Sequence, residues 1–404
     1  MRREARDFRE NMPRPVRRIA LPEGSLRRRA AGAAAALLIA GLALFVGFRA
    51  LTRVDAGWQE IEPDASRGPT GDVALWAELG AGSESPLTER RFLTGVYSEA
   101  AREITALLSP YEVVSGVRNL WWINHHPNEE IPVDSRLYRA LSQAAAAGRE
   151  LYLGPVYELW DSVFFSRTDA EARAADPRLN PESGAALAEF MALLSREDQI
   201  SLLFPAENTV CLRLSPELAA LGEEYGVTRY LDFGWMTNAY AADALAEALL
   251  ASGWTRAALV SPDGFIRCLD GRGTFSLEVL STRNGRVVKA AETEYAGPAA
   301  VLQLIPTPRG SRTRSYLYAD GTLRTAWISA ADGLDRCPVD SLNAVSSSLG
   351  CAELLSRVLP MLTAERLPAD LPGTEALSPE EEAECSLLVI WDDRLIRIGD
   401  GFIR

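Results

Sequence analysis

Lysine is almost absent from this chain. Lys289 is the single one in 404 residues, so arginine carries nearly all of the positive charge. Histidine is almost as scarce: His125 and His126 are the only two, and they are adjacent. Any Ser-His-Asp or Cys-His catalytic arrangement would have to use one of them. Their neighbours Asn124 and Pro127 predict a loop instead. A zinc site would need further ligands, and no convincing set accompanies them. The five cysteines (Cys211, Cys268, Cys337, Cys351 and Cys385) contain no Cys-x-x-Cys spacing, and an odd number cannot all pair within one chain.

What is present is unevenly distributed. Residues 1–29 hold ten arginines against four acids. Ala30 to Phe48 then runs for nineteen residues without a charge. As a helix that run would span roughly 29 Å, about one hydrocarbon core. The pattern predicts a membrane anchor with a cytoplasmic N-terminus and an extracytoplasmic C-terminal domain. A cleaved signal peptide, cut near Val54-Asp55-Ala56, is the alternative. The long basic region, the length of the apolar run, and Arg49 and Arg53 after it favour the anchor. No cysteine follows the run, which argues against a lipoprotein anchor. Beyond residue 53 the chain carries a net charge of about −21, which speaks against binding nucleic acid or anionic lipid through a general field.

The expected organisation is a basic cytoplasmic tail over 1–29, a transmembrane anchor over 30–48, a linker over 49–90 and one domain over 91–404. The linker reading rests on Gly, Pro, Ser and acidic content, with a short apolar patch at Val73 to Leu79. Periodicity predicts helices over Glu99 to Leu108, Ser135 to Ala147, Ser183 to Ser195 and Ala239 to Ser252, with Ser135 as an N-cap and Gly148 and Gly253 as stops. Phe164 to Asn180 reads as loop and short helix. Strands are predicted over Thr209 to Leu214, Ala257 to Val260, Thr274 to Ser281 and Arg286 to Lys289, the last two joined by Arg283-Asn284-Gly285. Ser315 to Tyr318 with Thr322 to Ile328, and Leu387 to Trp391 with Arg394 to Ile398, read as two further hairpins. The run Glu380-Glu381-Glu382 reads as a solvated helix start. Helices interspersed with hairpins predict an α+β sandwich.

Leu231 to Asp243 is the most informative stretch: Leu-Asp-Phe-Gly-Trp-Met-Thr-Asn-Ala-Tyr-Ala-Ala-Asp. Taken alone it is a strand, a turn and a core helix, or a nucleotide site in which backbone N–H groups at a helix start meet a phosphate. It resembles the Asp-Leu-Gly-Gly-Ile-Ala-Lys-Gly-Tyr-Ala-Val-Asp turn of the ApbE-type FAD:protein FMN transferases. Asp232, Gly234, Tyr240, Ala241 and Asp243 keep the pattern, while Trp235, Asn238 and Ala239 stand at its Gly, Lys and Gly. The resemblance continues in order along the chain. Val117 to Asn124 ends in the polar Asn124, and Leu151 to Trp160 keeps Gly154-Pro155 and the closing Trp160. Ser261 to Arg267 is similar to Asn-Leu-Gly-Gly-Asp-Ile-Arg, with Phe265 at the Asp. Ala326 to Gly333 keeps Ile328 and Gly333, with Ser329 at an Asp. Ser341 to Leu359 follows the last strand and helix.

The resemblance implies an ApbE-like, T-fold-type sandwich of antiparallel sheets and helices, preceded here by one transmembrane helix. It implies FAD and magnesium as cofactors and flavinylation of an extracytoplasmic partner protein. The residues it places at the flavin nucleotide are Asn124, Gly154, Asp232, Gly234, Asn238, Tyr240, Asp243 and Gly264. It places the backbone carbonyl of Thr237 and the carboxylate of Glu353 at the metal. Arg357, four residues after Glu353, stands at a threonine of the pattern, where an i,i+4 ion pair with Glu353 would fill the cation's space. No catalytic residue is assigned. Trp121, Trp122 and Trp160 read as core or interface aromatics, with a flavin-stacking role only by resemblance. The expectation is a membrane-anchored ApbE-like protein with weak or absent transferase activity. The alternatives are an active FAD:protein FMN transferase, or a non-catalytic scaffold of a cell-envelope complex.

Overall fold

The computed structural model describes residues 31–42, 54–64, 66, 68–283, 286–307, 314–366, 384–392 and 394–403. The chain divides into two compact units, Met1–Asp55 and Ala56–Arg404. The described residues of the first unit are a helix, α1, over residues 31–42, with every residue exposed, and Val54 and Asp55.

No helix among the described residues is long and apolar enough to cross a membrane. This corrects the expected transmembrane helix over 30–48. The membrane partner, the cytoplasmic N-terminus, the extracytoplasmic placement of the domain and the membrane-anchored form of the functional reading lose their support with it. Residues 1–29 and 43–48, the Asn284-Gly285 turn, the acidic run at 380–382 and Asp393 lie outside the described residues.

The second unit is built on an eight-stranded antiparallel sheet. Its strands are β1 (Gly57–Ile61), β2 (Ala74–Leu79), β6 (Ala257–Val260), β7 (Phe265–Cys268), β10 (Ala299–Leu304), β13 (Ser341–Ser346), β14 (Ser386–Trp391) and β15 (Arg394–Ile398), in the order β1-β2-β6-β7-β10-β13-β14-β15. β1 and β2 thus form within the stretch that composition marks as linker, because Leu75, Ala77 and Leu79 alternate inward and are fully buried. At the middle of the sheet, β10 is buried at all but Gln303 and β13 along its whole length, as strands covered on both faces must be.

One face carries helices α2 (Pro86–Leu108), α9 (Thr237–Ala251) and α10 (Cys351–Thr363). α2 starts at Ser85, whose hydroxyl accepts from the Thr88 N–H, with Pro86 in the first turn where no donor is lost. It buries a stripe at Leu93, Tyr97, Ala101, Ile104 and Leu108. The other face is covered by the long hairpin β8 (Thr274–Arg283) and β9 (Arg286–Ala296). Leu277, Val279 and Tyr295 of that hairpin close over Val301, Val345, Leu388 and Phe402. Each large side chain so buried contributes about 1.5–3 kcal/mol.

A helical lobe fills the remainder. It holds α3 (Leu120–His125), α4 (Ser135–Ala147), α5 (Gly154–Phe164), α6 (Asp169–Ala175), α7 (Pro181–Leu194) and α8 (Pro216–Tyr225). With it come a three-stranded sheet of β3 (Ile131–Pro132), β5 (Thr209–Leu214) and β4 (Ile200–Ala206), and the small hairpin β11 (Ser315–Leu317) with β12 (Leu323–Thr325). α4 is capped by Asp134, not by Ser135: its carboxylate takes the Arg136 N–H at 2.8 Å and ion-pairs with the same residue's guanidinium. His125 closes α3, and His126 is its C-cap at the bend that leads into Pro127. Each ring stacks on the tryptophan four residues earlier, Trp121 and Trp122, at 3.8 and 4.2 Å.

Candidate functional site: a cleft at the Leu231–Asp243 turn

Residues 230–233 do not join a sheet. Their backbone is tied instead by a side chain and by one distant carbonyl. Asn124 accepts from the N–H groups of Tyr230 (3.2 Å) and Leu231 (2.8 Å) and donates to the Leu231 carbonyl (2.9 Å). The Asp232 N–H donates to the Leu151 carbonyl at 3.0 Å. Gly154, at the first position of α5, lies so close to the Arg229 carbonyl that a Cβ would collide with it. Asn124 and Gly154 therefore hold the turn in place.

The turn enters a short 3-10 segment, Gly234–Met236, that runs straight into α9. Gly234 has φ +56°, and a Cβ there would sit 2.7 Å from the Tyr157 ring, so glycine meets both a backbone and a space requirement. The Asp232 carboxylate caps this start by accepting the Gly234 N–H at 2.8 Å.

Asp232 is buried, and burial pushes its carboxyl above the ordinary range, against the pull of Arg314 and Arg229. Arg229 reaches Asp232 at 2.9 Å and Asp161 at 3.3 Å; Arg314 reaches Asp161 at 3.0 Å and donates to the Tyr111 hydroxyl at 2.5 Å. The Arg229 guanidinium also lies over the Tyr111 ring, 4.8 Å from its centre. With Glu158, 3.3 Å from Arg229, two arginines and three carboxylates thus form an ion-pair network at the base of the turn.

Above it opens a cavity of about 680 Å³. Tyr111, Phe165, Trp235 and Trp327 give it aromatic walls, and α2 supplies Ala101, Ile104 and Leu108. Gly234, Thr237 and Asn238 line it from the turn. The Asn238 amide donates to the Asp263 carboxylate at 2.5 Å. Burial raises the Asp263 carboxyl, while that hydrogen bond and Arg314 act to lower it. Trp235 is 8% exposed, and its indole N–H is buried without a hydrogen-bond partner.

The remaining residues named from the sequence lie elsewhere. Tyr240 and Asp243 project from the other side of α9 toward a second cavity, shared with Arg267 and Gly350. Asp243 accepts the N–H groups of Cys351 (2.8 Å) and Ala352 (2.9 Å), which makes it the N-terminal cap of α10. Gly264 has φ +91° and packs against the Gln303 carbonyl where no side chain fits; its N–H donates to Ser261.

Glu353 lies on α10 and is not among the cavity-lining residues, and Arg357 reaches Glu384 at 3.4 Å. The Thr237 hydroxyl is given to the Gly234 carbonyl at 2.8 Å. No group of three His, Cys, Asp or Glu side chains that could hold a metal occurs among the described residues. Among the described residues, therefore, no donor set for a magnesium ion is gathered at the cleft, whose walls are aromatic.

Tyr111, Asp161, Arg229, Asp263 and Arg314 were not singled out from the sequence. Asp263 sits inside a recognised block, and Arg229 sits three residues before Asp232; the others carry no local signal.

No family model and no curated protein matches the chain. Solved structures do. The ApbE protein of Thermotoga maritima superposes with a TM-score of 0.58 at 17% identity, over 84% of this chain and 97% of its own. The flavin transferase ApbE of Vibrio cholerae gives 0.53 at 17% identity, over 85% and 98%. The α+β sandwich of antiparallel sheets and helices described above is therefore the ApbE fold.

Proposed function

We propose that this chain is a flavin-handling protein whose cleft at the Leu231–Asp243 turn receives the flavin ring. One observation carries the reading: the cavity at the turn is walled by aromatic rings and large enough for a flavin. The flat face of isoalloxazine suits Tyr111, Phe165 and Trp327. The fold shared with a flavin transferase agrees with it.

Titration of riboflavin, FMN and FAD, followed by flavin fluorescence, tests the reading. Quenching on addition of the chain, weakened in Trp235→Phe, is expected. Failure of every flavin to bind would remove it.

A second reading is transfer of the FMN part of FAD to a hydroxyl of an acceptor protein, favoured by the likeness to the Vibrio cholerae flavin transferase across 85% of this chain. Residues of this chain that would hold magnesium for such a reaction are not gathered at the cleft, so no step through a metal is derived. A mass gain of one FMN unit on a threonine-bearing acceptor incubated with chain and FAD would establish it.

A further inference from the structure

We propose that the cavity on the far side of α9 from the turn is a second ligand site, one that takes a small organic carboxylate. The proposal is independent of the flavin reading, because no residue lines both cavities.

Helix geometry separates the two. α9 turns Asn238, Ala241 and Leu245 toward the first cavity and Tyr240, Asp243 and Glu247 toward the second. α4 walls the second cavity with Arg136, Arg139 and Ala140, while Arg267 of β7 and Gly350 at the start of α10 close its end. The space is about 420 Å³, enough for a small molecule.

Most charged groups in this wall are engaged with one another. Arg139 holds Glu247 through both terminal nitrogens at 2.7 Å, and Arg136 reaches Asp134 and Glu103, each at 2.9 Å. Asp243 takes the Cys351 and Ala352 N–H groups, so its charge lies against the positive end of α10. Gly350 makes room for that approach, since a Cβ there would sit 2.6 Å from the Asp243 carboxylate.

Arg267 and Tyr240 keep donors unused. The Arg267 guanidinium gives one hydrogen bond, to the Leu349 carbonyl at 3.1 Å, and stands 3.7 Å from Asp243, beyond hydrogen-bond reach. A guanidinium carries five N–H donors, so most of this one's remain open. Tyr240 is 6% exposed, and its hydroxyl meets no hydrogen-bond partner among the described residues. The Tyr157 hydroxyl is sealed away from any surface, whereas that of Tyr240 is not. Burial pushes the Tyr240 phenol up, so it stays protonated and able to donate. A hydroxyl this deeply placed without a partner calls for an acceptor from outside the chain.

A carboxylate is an acceptor for both groups, and its planar pair of oxygens matches the guanidinium fork. Ala140, Ala244 and Leu250 line the remainder of the cavity, so the carboxylate that fits carries a short apolar stem.

The test titrates hexanoate into the full chain and follows it by ligand-observed NMR saturation transfer. Saturable binding is expected, with hexanol and inorganic phosphate at least about tenfold weaker, since one lacks the charge and the other the stem. Tyr240→Phe should weaken hexanoate about fivefold, the worth of one hydrogen bond, and Arg267→Gln about tenfold or more. Tyr240→Phe keeps the ring that packs on Phe233 at 4.6 Å, and so covers the case in which the Arg267 variant fails to fold. No saturable binding of hexanoate, equal binding of hexanol or phosphate, or an affinity unchanged in Tyr240→Phe overturns the proposal. Each of these results leaves the flavin reading standing.

Discussion

Asn124 holds Leu231 as a neighbouring strand would, taking its N–H at 2.8 Å and giving to its carbonyl at 2.9 Å across 107 residues of sequence. Replacing Asn124 by Ala leaves two buried N–H groups and one carbonyl without partners. At roughly 1 kcal/mol or more for each, a loss of about 3 kcal/mol in unfolding free energy is expected by urea denaturation. A loss below about 1 kcal/mol would mean that water replaces the amide.

Arg229 and Asp232 make the most buried ion pair at the site, 10% and 2% exposed at their side chains. Removing one partner strands the other charge, so Arg229→Met should cost about 3–5 kcal/mol. Adding Asp232→Asn to Arg229→Met should recover part of that, because the most deeply buried of the carboxylates that Arg229 serves is then no longer charged. Additive losses in the double variant would contradict the pairing.

Trp235→Phe deletes the orphaned N–H and keeps an aromatic wall. Stability of the free protein should stay within about 1 kcal/mol, since a lost ring is offset by the removal of an unsatisfied donor. Flavin affinity should fall about threefold to fivefold, because the smaller ring offers less stacking surface. An unchanged affinity would place the ligand away from Trp235.

Asp134 titrates below the ordinary carboxylate range, chiefly through its side-chain hydrogen bonds with Arg136, despite partial burial. A depressed folded value means that its contribution is complete above the unfolded carboxylate value, about 4, and fades as pH falls through the folded one. Asp134→Asn should therefore lower stability at pH 7 and match the parent in strong acid. Denaturation curves of both proteins along a pH series decide this; an offset that persists in acid would instead report the helix cap alone.

The turn itself was legible in the sequence because its demands are local: Gly234 needs positive φ and room beside Tyr157, and Asp232 caps the N–H two residues on. Hairpins such as β14–β15 were legible for the same reason. The electrostatic group was not, since Asp161 and Arg314 approach Asp232 from 71 and 82 residues away and nothing in their neighbours marks them. Tyr240 and Asp243 share the motif with Asn238 but leave α9 on the opposite side, where Asp243 caps α10. Among the described residues of the uncharged run after the arginines, no helix is long and apolar enough to cross a membrane.

The anchoring of residues 230–232 by Asn124 and the Leu151 carbonyl has a consequence for how portable the site is. A ligand loop closed by its own hairpin can be moved between scaffolds as a cassette. This one has no closure of its own: its backbone geometry is borrowed from segments 81 and 107 residues upstream. The cleft can therefore form only after the helical lobe has docked on the sheet, and a peptide spanning Leu231–Asp243, or a graft of it, would inherit the sequence of the site without its shape.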